Sequence, residues 1–183
     1  MVKQQNKEKK MRKAIVVVDM QNDFVDGSLG TAEAQAMLPH LVQKLTQARE
    51  IKSADVVFTM DTHPVNYMQT AEGRKLPVEH CIKGTKGWEI VPQSQMFKEM
   101  AHAIVEKPTF GSVKLPQVVA DYDEIELVGL CTDICVISNA LLLKAFYPEK
   151  EIRVDASCCA GVTPESHKNA LAAMKMCQID VDV

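Results

Sequence analysis

Four residues with side chains suited to moving protons or attacking a carbonyl each lie at or just beyond a short apolar run. Asp19 follows Ala14-Ile15-Val16-Val17-Val18, and Asp61 lies beyond Val56-Val57-Phe58. Lys107 lies beyond Ala103-Ile104-Val105, and Cys135 ends the segment Gly129-Leu130-Cys131-Thr132-Asp133-Ile134-Cys135, which continues Ile125-Glu126-Leu127-Val128. A thiol attacks an acyl carbon once its proton has been removed, and a neighbouring carboxylate can take that proton and return it to a leaving amine. Asp19, Lys107 and Cys135 therefore form a candidate acyl-transfer set, and the backbone N–H groups of Cys131 and Cys135 are candidates to hold the developing oxyanion. If Thr132 caps the helix that follows, Cys135 falls in its first turn, where the positive helix end and the Lys107 ammonium favour thiolate. Taken singly, each residue has an ordinary alternative: an Asp after a strand as a helix cap, a solvated Lys, a Cys in the core. Joint placement at strand ends is what points to chemistry.

These residues meet only if the apolar runs are neighbouring parallel strands. The runs at 14–18, 56–58, 103–105, 125–128 and 152–154 are rich in β-branched residues, as expected of strands covered on both faces, and 179–183 is a sixth candidate. Helical periodicity covers Met37 to Lys52, Pro116 to Tyr122, Ile134 to Ala145 and Pro164 to Cys177, the last two opened by Thr132 and Thr163 as caps. Such alternation predicts an α/β fold with a single doubly wound, mostly parallel six-stranded sheet and helices on both faces, a Rossmann-like arrangement in which ligands bind beyond the carboxyl ends of the strands.

Between Asp61 and about Gln95 the periodicity stops, and Pro64, Gly73, Pro77, Gly84, Gly87 and Pro92 indicate a long loop of the kind that carries function. Asp61 and His63, two apart at a strand end, together with His80 offer one carboxylate and two imidazoles, a donor set suited to Zn²⁺, Fe²⁺ or Mn²⁺. Ordinary loop polarity is the alternative reading of that pattern.

With 183 residues, 46% of them hydrophobic, the chain suits one domain, placed at residues 13–183 after a basic tail at residues 1–12 that is expected to be disordered. Met11 is a second possible start. The net charge of -3 gives no electrostatic reason for a nucleic-acid partner. No apolar stretch follows the tail that could be a signal-peptide core or a span, so a cytoplasmic location without a membrane partner is expected. The six cysteines lie in or beside apolar segments and are read as reduced thiols. A rival reading, a redox or binding protein with a Cys131–Cys135 disulfide, leaves Asp19 and Lys107 without roles.

From Ala14 onward the chain resembles the nicotinamidase and isochorismatase-like cysteine hydrolases, through Val18-Asp19-Met20-Gln21-Asn22-Asp23-Phe24, Glu106-Lys107-Pro108-Thr109-Phe110 and the segment Gly129 to Val136. The resemblance implies a triad of Asp19, Lys107 and Cys135, a cis peptide at Leu130-Cys131, and amidase rather than vinyl-ether chemistry, because of the thiol. Within the family it points to a nicotinamidase that also cleaves pyrazinamide, acting on a small-molecule amide beside a bound divalent metal, and to a homo-oligomer. Phe24 and Phe110 match positions where the family stacks aromatic rings on a flat substrate. The chain departs from the pattern where Tyr67 replaces a further His and Leu76-Pro77-Val78-Glu79-His80 replaces a Trp-Pro-Pro-His segment. Glu72 matches the position of a Glu that some members use as a metal ligand. The altered loop motivates a rival amidase that acts on an N-carbamoyl compound or another small amide without metal.

Overall fold

The computed structural model describes residues 11–182, so the tail expected at residues 1–12 falls almost wholly outside the described residues. Among those described, six strands, β1 (Lys13–Val18), β2 (Asp55–Asp61), β3 (Ala103–Lys107), β4 (Glu124–Leu130), β5 (Glu151–Ala160) and β6 (Asp180–Asp182), form one sheet in the order β3-β2-β1-β4-β5-β6. Every adjacent pair is parallel, which makes the sheet wholly rather than mostly parallel. β1 and β4 lie at its centre and are buried along nearly their whole length, which accounts for the unbroken β-branched run of β1.

Strand geometry sends successive side chains to opposite faces, and the core is divided accordingly. Ile15, Val17, Phe58, Met60 and Val128 face a layer made by α1 (Asn22–Val25), α2 (Ala32–Glu50) and α3 (Gln95–Glu99), where Leu41, Leu45 and Phe97 are buried. Ala14, Val16, Val18, Val57 and Leu127 face α4 (Leu115–Val118), α5 (Ile137–Phe146) and α6 (Pro164–Met176), where Leu115, Ala140, Leu143 and Met174 are buried. No helix among the described residues is long and apolar enough to cross a membrane.

Several boundaries differ from the sequence expectation for identifiable reasons. α2 starts at Ala32, not Met37, because Thr31 Oγ1 accepts from the Ala34 N–H at 3.0 Å, a cap worth about 1 kcal/mol that outweighs neutral effects in an Ala-rich first turn. The helix then runs through Pro39 instead of using it in its first turn. β5 continues past Val154 to Ala160, since a register shift between Leu127 and Gly129 lets Cys159 and Ala160 rejoin β4. α4 closes at Val118, short of Tyr122. Thr163 caps α6 as expected, through a reciprocal capping box with Ser166.

At the amino-terminal end of the sheet, Glu126 is buried on β4 and paired with Lys13 (3.0 Å) and Lys44 (2.7 Å), and Lys44 reaches on to Asp155 at 2.8 Å. Burial of Asp155 opposes its ionisation, but the hydrogen bonds from Lys44 and Ser157 win and hold its carboxyl below the ordinary value. A carboxyl depressed in the folded state contributes stability above its unfolded value, about 4, and loses it as pH falls through the folded value. Asp155→Asn is accordingly expected to lower the urea midpoint at pH 7 and to approach wild type as the pH drops below about 4. A gap that stays constant down to acid unfolding would show that the carboxylate charge is not what Lys44 uses.

Candidate active site

In an open parallel sheet the chain leaves adjacent central strands toward opposite faces, and a crevice forms at their carboxyl ends. Here that point lies between β1 and β4. The register sets Val18 opposite both Thr59 and Gly129 and sets Asp61 opposite Lys107, so the residues just beyond these ends are neighbours. Gly129 makes the close passage possible. With φ at +111°, a side chain is disfavoured, and a Cβ there would lie 2.2 Å from Val18 O. Asp19 turns the chain out of β1 in the left-handed region, φ 49°, which Asp tolerates better than most residues. The Leu130–Cys131 peptide is cis.

Lys107 Nζ is the hub of what results. It lies 2.6 Å from Asp19 Oδ2, 3.3 Å from Asp61 Oδ1, 3.5 Å from Cys135 Sγ and 3.1 Å from Thr109 O. Asp19, Lys107 and Cys135 are 0, 1 and 4% exposed, so these contacts are made out of water, where charges act strongly. Asp19 Oδ1 accepts from Thr59 Oγ1 at 2.7 Å, and Oδ2 faces the Lys107 ammonium. Burial raises the Asp19 carboxyl above its ordinary value against the pull of Lys107, and Asp61 raises it further. Lys107 is held protonated: burial opposes the charge, and Asp19, Cys135 and Asp61 more than restore it.

Two expectations about the thiol need correcting. Thr132 does not cap the helix: the segment Thr132–Val136 forms a π turn with Cys131 at its cap position, and Thr132 Oγ1 pairs with His167 Nδ1 at 2.8 Å. Cys135 does fall in this first turn, but its burial opposes the thiolate that the turn and Lys107 favour. Burial, with Asp19 adding to it, pushes its pKa well above the ordinary thiol value, and Lys107 only partly offsets this. Cys131 and Cys135 pack toward opposite faces of the sheet, and all six cysteines are free, so nothing here favours the disulfide rival.

The loop brings the other polar set together. Asp61 Oδ2 lies 3.0 Å from His63 Nε2 and 3.7 Å from His80 Nε2, and Glu72 Oε1 lies 3.7 Å from each imidazole. Four donors at about 2.0–2.1 Å from one ion stand about 3.3 Å apart in a tetrahedron, so these separations suit a common divalent ion. His80 Nδ1 sits 2.8 Å from Val78 O; a carbonyl can only accept, so Nδ1 carries the proton and the Nε2 lone pair is left for a metal. Asp61 is held below the ordinary carboxyl range, as the hydrogen bond from His63 and the charge of Lys107 overcome burial. Tyr67 adds no ligand: its hydroxyl donates to Leu76 O at 2.9 Å, and its buried ring packs 4.7 Å from His63 and 5.0 Å from His80. Phe24 meets His80 edge-on at 5.5 Å, while Phe110 is half-exposed in the segment after Lys107.

Gln21, Asn22 and Asp23, which have no assigned role in the sequence, hold the loop in the structure. Gln21 is fully buried; its Oε1 accepts from the Asp61 N–H, and its Nε2 donates to Asp61 O and Trp88 O, each at 2.8 Å. Asn22 Nδ2 donates to Lys86 O, and Asp23 Oδ2 accepts from the Cys81 N–H, both at 2.8 Å. One tripeptide after β1 thus pins the long loop at three places. Trp88 anchors the loop as well, its indole N–H donating to Thr62 Oγ1 at 3.0 Å. An apolar-run reading cannot find such residues, because their partners are backbone groups distant in sequence.

The comparisons agree with this geometry. A family model described as the isochorismatase domain matches residues 13–181. A curated relative from Bacillus subtilis, named as an uncharacterized isochorismatase family protein PncA, is 29% identical over 174 residues, which cover 88% of this chain and 93% of the relative. The crystal structure of nicotinamidase/pyrazinamidase PncA from Bacillus subtilis superposes with a TM-score of 0.81 at 28% identity, covering 94% of this chain and 100% of that one. A pyrazinamidase of Pyrococcus horikoshii, crystallised in complex with zinc, matches with a TM-score of 0.77 at 28% identity over 93% of this chain and 98% of its own. A sheet of this order, a buried lysine between two carboxylates and a thiol, and a family match over nearly the whole chain together show that this protein belongs to the isochorismatase domain family.

Proposed function

We propose that this protein hydrolyses nicotinamide to nicotinate and ammonia, with pyrazinamide as a second substrate, through a thioester on Cys135. The observation that carries the reading is the position of Lys107 Nζ, within 3.5 Å of Asp19, Asp61 and Cys135 at once, which joins a thiol–carboxylate pair to a metal-type donor set. Relatives named as nicotinamidases and pyrazinamidases support the substrate class.

Asp19 takes the Cys135 proton as the sulfur attacks the carboxamide carbon. Because burial disfavours a standing thiolate, this transfer accompanies the attack. Backbone N–H groups at Cys131 and Cys135 stabilise the oxyanion of the tetrahedral adduct. Asp19 returns the proton to the amide nitrogen and ammonia leaves, giving a thioester; Asp19 then deprotonates water, which attacks the thioester and releases the carboxylate and the thiol. Lys107 stays protonated throughout and offsets the negative charge carried by Asp19 or by sulfur. Phe24 and Phe110 bracket the flat ring. Asp61, His63, Glu72 and His80 would hold one divalent ion, and that ion supplies a Lewis-acid site for the ring nitrogen of the substrate.

Three measurements test this reading. Ammonia release from nicotinamide is expected from metal-replete wild type, and Cys135→Ala and Asp19→Ala should each reduce kcat by at least about 10³-fold. A silent wild type whose Cys135 still outreacts the other five thiols would retain the mechanism and overturn the substrate. Since burial raises the Asp19 carboxyl, which must be ionised to accept the thiol proton, activity should fall with decreasing pH through an acid limb above about 4, the ordinary carboxyl value. A limb at or below that value would remove Asp19 as the base. Elemental analysis should find about one Zn, Fe or Mn ion per chain, and His63→Ala or Glu72→Gln should weaken metal affinity at least about tenfold; protein active at full rate without metal would favour the metal-free amidase.

A further inference from the structure

Asn139, one turn after Cys135, is fully buried, and both ends of its amide are engaged. Its Oδ1 accepts from the Ser112 N–H at 2.9 Å, and its Nδ2 donates to Phe110 O at 3.1 Å and to Cys135 O at 2.8 Å. One side chain therefore ties the backbone of the nucleophile turn to the backbone that follows β3. That second segment is fixed at its other end too, where Lys107 Nζ donates to Thr109 O at 3.1 Å. Gly111 passes Ser138 between the two anchors, close enough that a Cβ on it would lie 3.5 Å from Ser138 O.

Residues 109–112 thus form a short strap with Lys107 at one end and Asn139 at the other. Phe110 sits in the strap, and its side chain is 41% exposed, so packing does little to hold the ring. What fixes the ring relative to the Cys135 sulfur is the backbone of the strap, and what fixes the strap to the nucleophile turn is the Asn139 amide. Buried amides with every partner in place define position sharply, since any shift leaves a polar group unpaired.

We propose that Asn139 is a positioning residue that sets selectivity for flat aromatic acyl groups by holding the Phe110 strap in register with Cys135. The inference rests on the reading of Phe110 as a wall of the substrate site. It predicts that Asn139 and Phe110 act as one unit on aromatic selectivity, whatever Asn139 does for stability.

The test uses two thiol probes, phenacyl bromide as the flat aromatic electrophile and iodoacetamide as the aliphatic one, with labelling of Cys135 read by peptide mass spectrometry. Their rate ratio cancels the intrinsic reactivity of the thiol and needs no turnover. Phe110→Ala is expected to lower the aromatic-to-aliphatic ratio by roughly three- to tenfold, the worth of one aromatic contact. Asn139→Ala should lower it by a similar factor, and the double variant should fall no further than either single one. Asn139→Ser, less disruptive in a polar buried position, serves the same comparison should the alanine variant not fold. A wild-type ratio in the Asn139 variants beside a reduced one in Phe110→Ala, or effects that multiply in the double variant, would overturn the role of Asn139 alone. An unchanged ratio in Phe110→Ala would overturn the substrate-wall reading and the proposal with it. KM for nicotinamide, measured in the same variants, is expected to rise more than kcat falls.

Discussion

A single buried ammonium is the constraint on which this site depends. Lys107 is enclosed by two carboxylates and a thiol at the junction of β1, β2, β3 and the turn after β4. Taking one such charge out of water costs several kcal/mol, and only close partners repay it. Removing Lys107 would leave two buried carboxylates without their shared cation, and removing either carboxylate would leave the ammonium with a single counter-charge. The register of three parallel strands brings those three side chains together.

Asp61 has two faces, and it joins the Lys107 cluster to the loop cluster. Its Oδ1 meets Lys107, and its Oδ2 meets His63 and His80. Gln21 grips the same residue by its backbone N–H and C=O. The loop cluster and the ammonium therefore share one carboxylate.

Much of this was legible in the residues. The β-branched runs located the strands, and the rule that ligands gather beyond parallel strand ends brought Asp19, Asp61, Lys107 and Cys135 together before any coordinates. The convergence of His63, Glu72 and His80 was legible in part, as Asp-x-His is a local pattern whereas Glu72 needed the family resemblance. Gln21 and Asn139 were not legible, since both are buried amides whose partners are main-chain groups with no sequence signature. Nor was the state of the thiol. A helix start and a nearby lysine both favour thiolate, and the opposing effect of complete burial is visible only once the packing around Cys135 is known.

That neutral thiol carries a consequence for survival in an oxidising environment. Peroxides and other oxidants attack thiolates that are exposed, and the products beyond sulfenic acid are not recovered. Cys135 is buried, and that burial favours the neutral thiol over the thiolate. On the proposed mechanism the thiolate forms only when an electrophile enters the site beside Asp19, so the burial that lowers its resting reactivity also shields it from oxidants in bulk solvent.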